Sequence, residues 1–464
     1  MNSKERRARK DSVKKSSFHE RFPLFTDLYE ISMMHAYFEE DFFDTAVFSL
    51  FVRRLPTRRN FLLACGLNTT LELLENLRFS DEDIAYLASL KKFSNRFLDW
   101  LRDFRFMGDI YAMPEGTPVF ANEPILEVVA PLPQAQILET LIINQIHLQT
   151  MLASKAERVV TAARGRPVVD FASRRMHGID AALKGARAFY IGGVSATSNV
   201  LASKRYNMPL AGTMAHSYIQ AHEDEAAAFR AFAQLYPNTT LLVDTYDTIA
   251  GVHKVIHLAN SLGESFKVKA IRLDSGDLPV LSKEIRRLLD EADLGKIGIF
   301  VSGGLEEDAI ANLVSTGAPI DGFGVGTAMG VSGDVPSLDM VYKLCEYAGR
   351  GRIKLSTGKS ILPGRKQVFR TAKGEWDMGD TIARADEDIS GCRSLLVPVM
   401  KGGRRLFDYL PEKKIGIETA RSCAKKWIAR LPVRIRRLKS IGPSYPVEVS
   451  AALSHYQKEV CGRF

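Results

Sequence analysis

Between residues 168 and 328 the chain alternates short, continuously apolar runs with longer segments whose apolar residues recur at helical spacing. The runs are VVDFASRR (168–175), MPLAGTMAHS (208–217), LLVDTYDT (241–248), AIRLDSGD (270–277), GIFVSGG (298–304) and GFGVGTA (322–328). Strands buried on both faces of a parallel sheet read as unbroken apolar runs, and polar residues gather where they end. Each run here closes in a cluster of Gly, Ser, Thr, Asp or Arg. The stretches between them, EDEAAAFRAFAQLY and LPVLSKEIRRLLDEA among them, carry the helical period. Repeated strand–loop–helix units place all six clusters on one rim of an α/β barrel or sheet, where active sites of such folds gather.

The flanking sequence differs in texture. Residues 1–17 are polar and basic without periodicity and are expected to be disordered. From 18 to 149 the pattern is α+β: IYAMPEGTPVFANEPILEVVAPL (110–132) alternates strand-like pieces with Pro and Gly turns, whereas TLELLENLRF and AQILETLIINQIHLQTMLASKAERVVTAA read as helices. The barrel core is expected over 150–345. The segment 346–464 opens β-rich (353–383) and continues in short elements. There is no repeat beyond the βα alternation and no low-complexity linker.

Bulk properties narrow the class. At 464 residues, 46% hydrophobic and 25% charged, the chain has the makeup of a soluble protein of two or three domains. No apolar stretch approaches the roughly 20 residues needed to span a bilayer, and no secretory h-region is evident. Five scattered cysteines without CxxC spacing are expected to be reduced thiols of a cytoplasmic protein, neither disulfide framework nor zinc knuckle. The net charge of +9 sits largely in MNSKERRARKDSVKK and KKWIARLPVRIRRLKS. Without aromatic interleaving or a nucleic-acid-binding signature, that charge fits a solvated basic surface better than a nucleic-acid interface.

Several rim clusters carry chemistry. SGG (302–304, with Ser302 and Gly303) and GVGT (324–327, with Gly326 and Thr327) follow neighbouring late strands and offer backbone N–H groups suited to phosphate; paired tight turns without ligand are the plainer reading. IRLDSGDL sets Arg272, Asp274 and Asp277 at one strand end, and DTYDT adds Asp244 and Asp247. A cation beside carboxylates suits a sugar phosphate with Mg²⁺; a structural ion-pair network is the alternative. Arg174 and Arg175, close to Phe171, present planar forks to an anion. His216 in GTMAHS is the candidate base or phosphoryl acceptor. His177, His222, His253 and His257 receive structural readings, the last two lacking the Glu of HExxH. The residues alone indicate a barrel enzyme handling a phosphorylated sugar and leave its acceptor open.

Seven segments, in order, narrow the acceptor: TDLYEISMMHAYF (26–38), DFASRRMHGIDAALKGARAFYIGGVSATSNVLA (170–202), GTMAHSYIQAHEDEAAAFRAF (212–232), LLVDTYDT, IRLDSGDL, DGFGVGT (321–327) and LPGRKQVFR (362–370). With them the chain resembles the nicotinate phosphoribosyltransferases, within the type II phosphoribosyltransferases. The resemblance implies an irregular α/β barrel core with an additional α+β domain formed from the N- and C-terminal segments. It implies joining nicotinate to 5-phosphoribosyl 1-diphosphate, giving nicotinate mononucleotide and diphosphate, as the first step of NAD salvage from nicotinate. It further implies ATP hydrolysis coupled through a phosphohistidine, with Mg²⁺, in a homodimer with shared active sites. Position by position, His216 matches the phosphohistidine, Thr213 lies beside nicotinate and Arg272 at the substrate. Tyr29 matches an aromatic supplied by a neighbouring subunit, opposite Phe171. Arg174, Asp244, Asp274, Gly303, Gly326 and Thr327 match groups around the phosphoribosyl moiety. Relatives preferring nicotinamide carry Asp where this chain has Ser198, so a neutral Ser198 implies the acid. The alternatives are a nicotinamide or quinolinate phosphoribosyltransferase on the same fold, or a Mg²⁺-dependent sugar-phosphate barrel lyase.

Overall fold

A computed structural model describes residues 22–356, 361–406, 416–439 and 442–463. The expected disordered tail, 1–17, lies outside them. Six parallel strands form the central sheet in the order Ala196–Thr197, Val168–Asp170, Gly322–Val325, Gly298–Val301, Ala270–Leu273 and Thr240–Leu242. Every neighbouring pair is parallel. The last strand in sequence, Gly322–Val325, pairs with the first, Val168–Asp170, so the sheet curls into an incomplete barrel. Ile271, Leu273, Ile299, Val301, Phe323 and Val325 are fully buried, which is why these strands read as apolar runs.

Five of the six apolar runs contain strands of this sheet. The run at 208–217 does not: it makes one parallel bridge, Leu210 to Thr197, and then enters the short helix His216–Gln220. Pro209 has no N–H to donate, and the ladder is limited to Thr197 N to Pro209 O (3.0 Å) and Ala211 N to Thr197 O (3.0 Å). The sixth strand is Ala196–Thr197, a two-residue piece too short to leave an apolar run.

Both chain ends build the second layer. An antiparallel seven-stranded sheet runs Arg350–Gly351, Met340–Tyr347, Thr45–Val52, Pro124–Pro131, Asp109–Ala112, Val397–Lys401 and Arg404–Arg405, interleaving N-terminal with C-terminal strands. A four-stranded sheet, Cys392–Ser394, Lys366–Lys373, Trp376–Arg384 and Val447–Val449, completes the C-terminal part. Between barrel and N-terminal layer lies the helix Glu139–Ala163, whose residues Leu152, Ala153, Ala156 and Val159 are all fully buried. From Gln149 to Val159 every residue of this helix is buried, polar ones included, so no exposed stripe marks a domain boundary within it. Accordingly it runs through position 150, and strand Met340–Tyr347 runs through 345.

Arg370 ties the C-terminal part to the N-terminal layer. It is fully buried, pairs with Asp380 at 2.5 Å and donates to Pro118 O at 2.8 Å. The stacked rings of Phe120 and Tyr445 (3.9 Å) flank its guanidinium, and Tyr445 Oη donates to Asp380 at 3.0 Å. Removing one partner of a buried ion pair strands the other charge and costs about 3–5 kcal/mol. Arg370→Met is therefore expected to lower the Tm by several degrees in a thermal melt followed by circular dichroism; an unchanged Tm contradicts this account of the joint.

Candidate active site

The rim is organised by strand Ala270–Leu273 and the turn that follows it. In that strand Ile271 and Leu273 face the helices, so Arg272 points to the opposite, inner face. Arg272 Nη1 donates to Thr213 Oγ1 at 3.0 Å, its Nη2 lies 3.9 Å from Asp274 Oδ1, and its guanidinium stands 5.8 Å from the Phe171 ring centroid. Its Nε is buried with no hydrogen-bond partner. Burial pulls the Arg272 guanidinium below its ordinary pKa; Asp274 and Asp244 oppose that shift and the cation of Arg174 adds to it. A buried cation so incompletely paired leaves room for an anion.

Three consecutive strand ends are joined through the turn at 274. Asp244 Oδ2 accepts from Asp274 N at 2.8 Å and from Ser275 Oγ at 2.7 Å, while Asp244 Oδ1 is buried and unpartnered. Ser302 Oγ donates to Asp274 Oδ1. Gly303, at φ +87°, packs so tightly that a Cβ would stand 1.9 Å from Asp274 O. His216 faces the same turn: its Nε2 is 3.9 Å from Asp274 Oδ2, and its Nδ1 shares a 3.2 Å hydrogen bond with Thr245 Oγ1. The aromatic wall is Phe171, whose ring lies 6.1 Å from that of Phe300 and directly over Gly324, where a Cβ would come within 2.5 Å.

Two acids of the same clusters have other tasks. Asp247 caps helix Thr248–Leu262 by accepting from Ala250 N at 2.7 Å, and Asp277 caps helix Leu278–Glu291 by accepting from Val280 N at 3.2 Å. That leaves Asp244 and Asp274 as the carboxylates facing the rim.

A family model described as the nicotinate phosphoribosyltransferase N-terminal domain matches residues 24–147, and one described as the quinolinate phosphoribosyl transferase C-terminal domain matches 152–343. The chain is 53% identical over 427 residues to nicotinate phosphoribosyltransferase pncB2 of Mycobacterium tuberculosis, covering 92% of this chain and 91% of that protein. It is 42% identical over 382 residues to the nicotinate phosphoribosyltransferase of Bacillus subtilis, covering 80% and 78%. The chain belongs to the nicotinate phosphoribosyltransferase family. Its fold superposes on human nicotinic acid phosphoribosyltransferase with a TM-score of 0.83 at 27% identity, over 94% of this chain and 99% of the human one.

Of the candidate site residues, the structure brings together Phe171, Thr213, His216, Asp244, Arg272, Asp274 and Gly303, which the family resemblance supplied, and Ser302 of the SGG loop. Gly326 begins the turn into helix Thr327–Val331 beside Phe171 O, with Thr327 exposed. Ser198 is joined to this rim by its backbone, donating to Asp170 O at 2.9 Å. Arg174 is exposed and reaches the cluster through the field it exerts on Arg272. Tyr29 stands apart in helix Leu28–Glu39, nearly half exposed, its hydroxyl beside Glu139 and held protonated by burial and that carboxylate.

The sequence reading missed Thr245, Ser275 and Asp170. Thr245 and Ser275 directly follow Asp244 and Asp274, within motifs where only the charges drew notice. Asp170 accepts from Ala172 N at 2.8 Å and Thr197 Oγ1 at 2.7 Å, holding the first two strand ends together, and burial raises its pKa. Gly303→Ala adds a methyl against Asp274 O at a positive φ, and is expected to cut turnover by at least about tenfold through displacement of that turn. Steady-state rates on variant with unaltered circular dichroism check this; wild-type turnover contradicts it.

Proposed function

We propose that the rim transfers a phosphoribosyl group from 5-phosphoribosyl 1-diphosphate to nicotinate, releasing diphosphate and forming nicotinate mononucleotide. The observation carrying this reading is Arg272, a largely buried cation with a buried, unpartnered Nε, set between an aromatic face and the Asp274 turn. A flat aromatic acid fits there: its ring against Phe171, its carboxylate toward Arg272. Departure of diphosphate from the ribosyl carbon leaves an oxocarbenium-like centre, so catalysis needs charge stabilisation rather than covalent attack by the protein. The loops holding Gly303 and Gly326 offer backbone N–H groups to the phosphate oxygens, with Arg174 adding positive field.

Asp244 and Asp274 suit Mg²⁺ carried on the substrate, which uses one or two carboxylates and several phosphate oxygens. The unpartnered, buried Asp244 Oδ1 supports this. No group of three or more His, Cys, Asp or Glu among the described residues forms a metal cage of its own. Bound there, Mg²⁺ would add positive charge where the leaving diphosphate gains negative charge.

ATP coupling rests on His216. With Thr245 engaging Nδ1, Nε2 is the nitrogen turned toward the Asp274 turn and accessible to a γ-phosphoryl group. Phosphorylation there adds close to two negative charges and three acceptor oxygens beside Arg272 and Asp274, reorganising the site in favour of product. Ser198, uncharged, leaves the acid substrate unopposed. In the homodimer, exposed Tyr29 of one subunit would face Phe171 of the other across the pyridine ring. No helix among the described residues is long and apolar enough to cross a membrane. A cytoplasmic enzyme is part of this reading, supported by five scattered cysteines without disulfide-framework spacing.

Diphosphate release measured with nicotinate, nicotinamide and quinolinate, each with and without ATP, tests the reading. Nicotinate is expected to be the preferred acceptor, with ATP stimulating; preference for quinolinate, or no diphosphate from any acceptor, contradicts it. With γ-labelled ATP, wild type is expected to carry an acid-labile label that His216→Ala lacks; a fully labelled His216→Ala refutes the phosphohistidine. Ser198→Asp is expected to lower kcat/KM for nicotinate by about tenfold or more, with nicotinamide less affected; equal loss on both would contradict the specificity argument.

A further inference from the structure

Beneath the glycine loops lies a buried ionic cluster that the chemistry above does not use. Lys155, in the covered helix Glu139–Ala163, is only 1% exposed, an uncommon place for a lysine. Its ammonium holds two carboxylates at once: Glu307 Oε2 at 2.5 Å and Asp334 Oδ1 at 2.8 Å. Those acids belong to different rim units. Glu307 opens helix Glu307–Ser315, four residues after Gly303. Asp334 follows helix Thr327–Val331, which Gly326 begins, and the chain between them is fixed by Ser332 Oγ donating to Val335 O at 2.8 Å.

Further cations complete the cluster from outside. Arg158 Nε donates to Glu307 Oε1 at 3.0 Å and its Nη1 to Leu438 O at 2.9 Å; Arg59 Nη1 donates to Asp334 Oδ2 at 2.7 Å. The carboxyls of Glu307 and Asp334 are held below the usual carboxylate range by these cations, against the effect of burial. Glu307 has Arg158 to itself, Asp334 has Arg59 and, at 4.0 Å, Arg58, and Lys155 is the group they share.

We propose that Lys155 is a positioning residue that fixes the spacing of the two glycine loops, and with it the affinity of the rim for the phosphates of its substrate. The inference rests on the phosphoribosyltransferase reading above. Without the shared ammonium, two buried carboxylates repel and the loops lose their common anchor. Backbone donors spread over two loops bind a polyanion only when their separation matches it, whereas nicotinate, held by Phe171 and Arg272, depends on neither Glu307 nor Asp334.

Lys155→Met and Glu307→Gln, with Arg370→Met as an equally buried control in another layer, separate positioning from plain stability. The readouts are KM for each substrate and titration of inorganic diphosphate. Lys155→Met is expected to raise KM for 5-phosphoribosyl 1-diphosphate and Kd for diphosphate by about tenfold to a hundredfold, with KM for nicotinate nearly unchanged. Glu307→Gln, which keeps Lys155 paired with Asp334, is expected to show a smaller shift in the same direction and carries the test if Lys155→Met does not fold. Arg370→Met is expected to lose thermal stability with both KM values retained. Unchanged diphosphate affinity in the folded variants, or an equal shift in Arg370→Met, overturns the proposal while leaving the assigned reaction standing. A wild-type enzyme that binds no diphosphate overturns both.

Discussion

The site depends on one shared turn. Asp244 takes hydrogen bonds from Asp274 N and Ser275 Oγ, Ser302 donates to the Asp274 carboxylate, and Gly303 packs on the Asp274 carbonyl. Three neighbouring parallel strands therefore end at a common level, and the side chains they carry converge. Parallel pairing alone would align the strands, but the loops beyond them would remain free to diverge. The carboxylate–backbone contacts remove that freedom, so Arg272 and His216 meet a preformed wall.

Charge is distributed unevenly around that turn. Arg272 is largely buried with an unused donor, Asp244 is buried with an unused acceptor, and His216 stands at the edge with one ring nitrogen engaged by Thr245. Such unsatisfied groups cost stability in an isolated protein and are tolerated where a ligand completes them. Several buried charges elsewhere are held in close ion pairs: Arg187 with Glu115, Arg370 with Asp380, Lys155 with Glu307 and Asp334. At the rim the nearest opposite charge to Arg272 is Asp274 at 3.9 Å, a looser pairing than those.

Much of this was legible from the chain itself. Strands buried on both faces leave apolar runs, so the strands at 168, 241, 270, 298 and 322 could be read, along with the rim their polar ends form. The two-residue strand Ala196–Thr197 left no run, and the apolar stretch holding Pro209 formed only a bridge. Helix caps were indistinguishable from ligands by residue type: Asp247 and Asp277 look like Asp244 and Asp274 until their hydrogen bonds are seen. Thr245 and Asp170 escaped notice because hydroxyls and solitary acids carry little signal in sequence. The joining of both chain ends in one antiparallel sheet came from the family resemblance, since non-local pairing has no local signature.

The central claim is that the strand-end rim, and no other cavity, receives the phosphoribosyl substrate. Two cavities lie away from the Asp274 turn, one of about 760 Å³ lined by Phe51, Phe120 and Tyr445 and one of about 500 Å³ near Arg187, Arg205 and Tyr206; the second, with its two arginines, is the competitor for an anionic substrate. A crystal structure of the enzyme with nicotinate mononucleotide and diphosphate discriminates them directly. The account predicts the pyridine ring against Phe171, its carboxylate near Arg272, and phosphates on the loops of Gly303 and Gly326. Ligand density beside Arg187 and Arg205, with the rim empty, would contradict it.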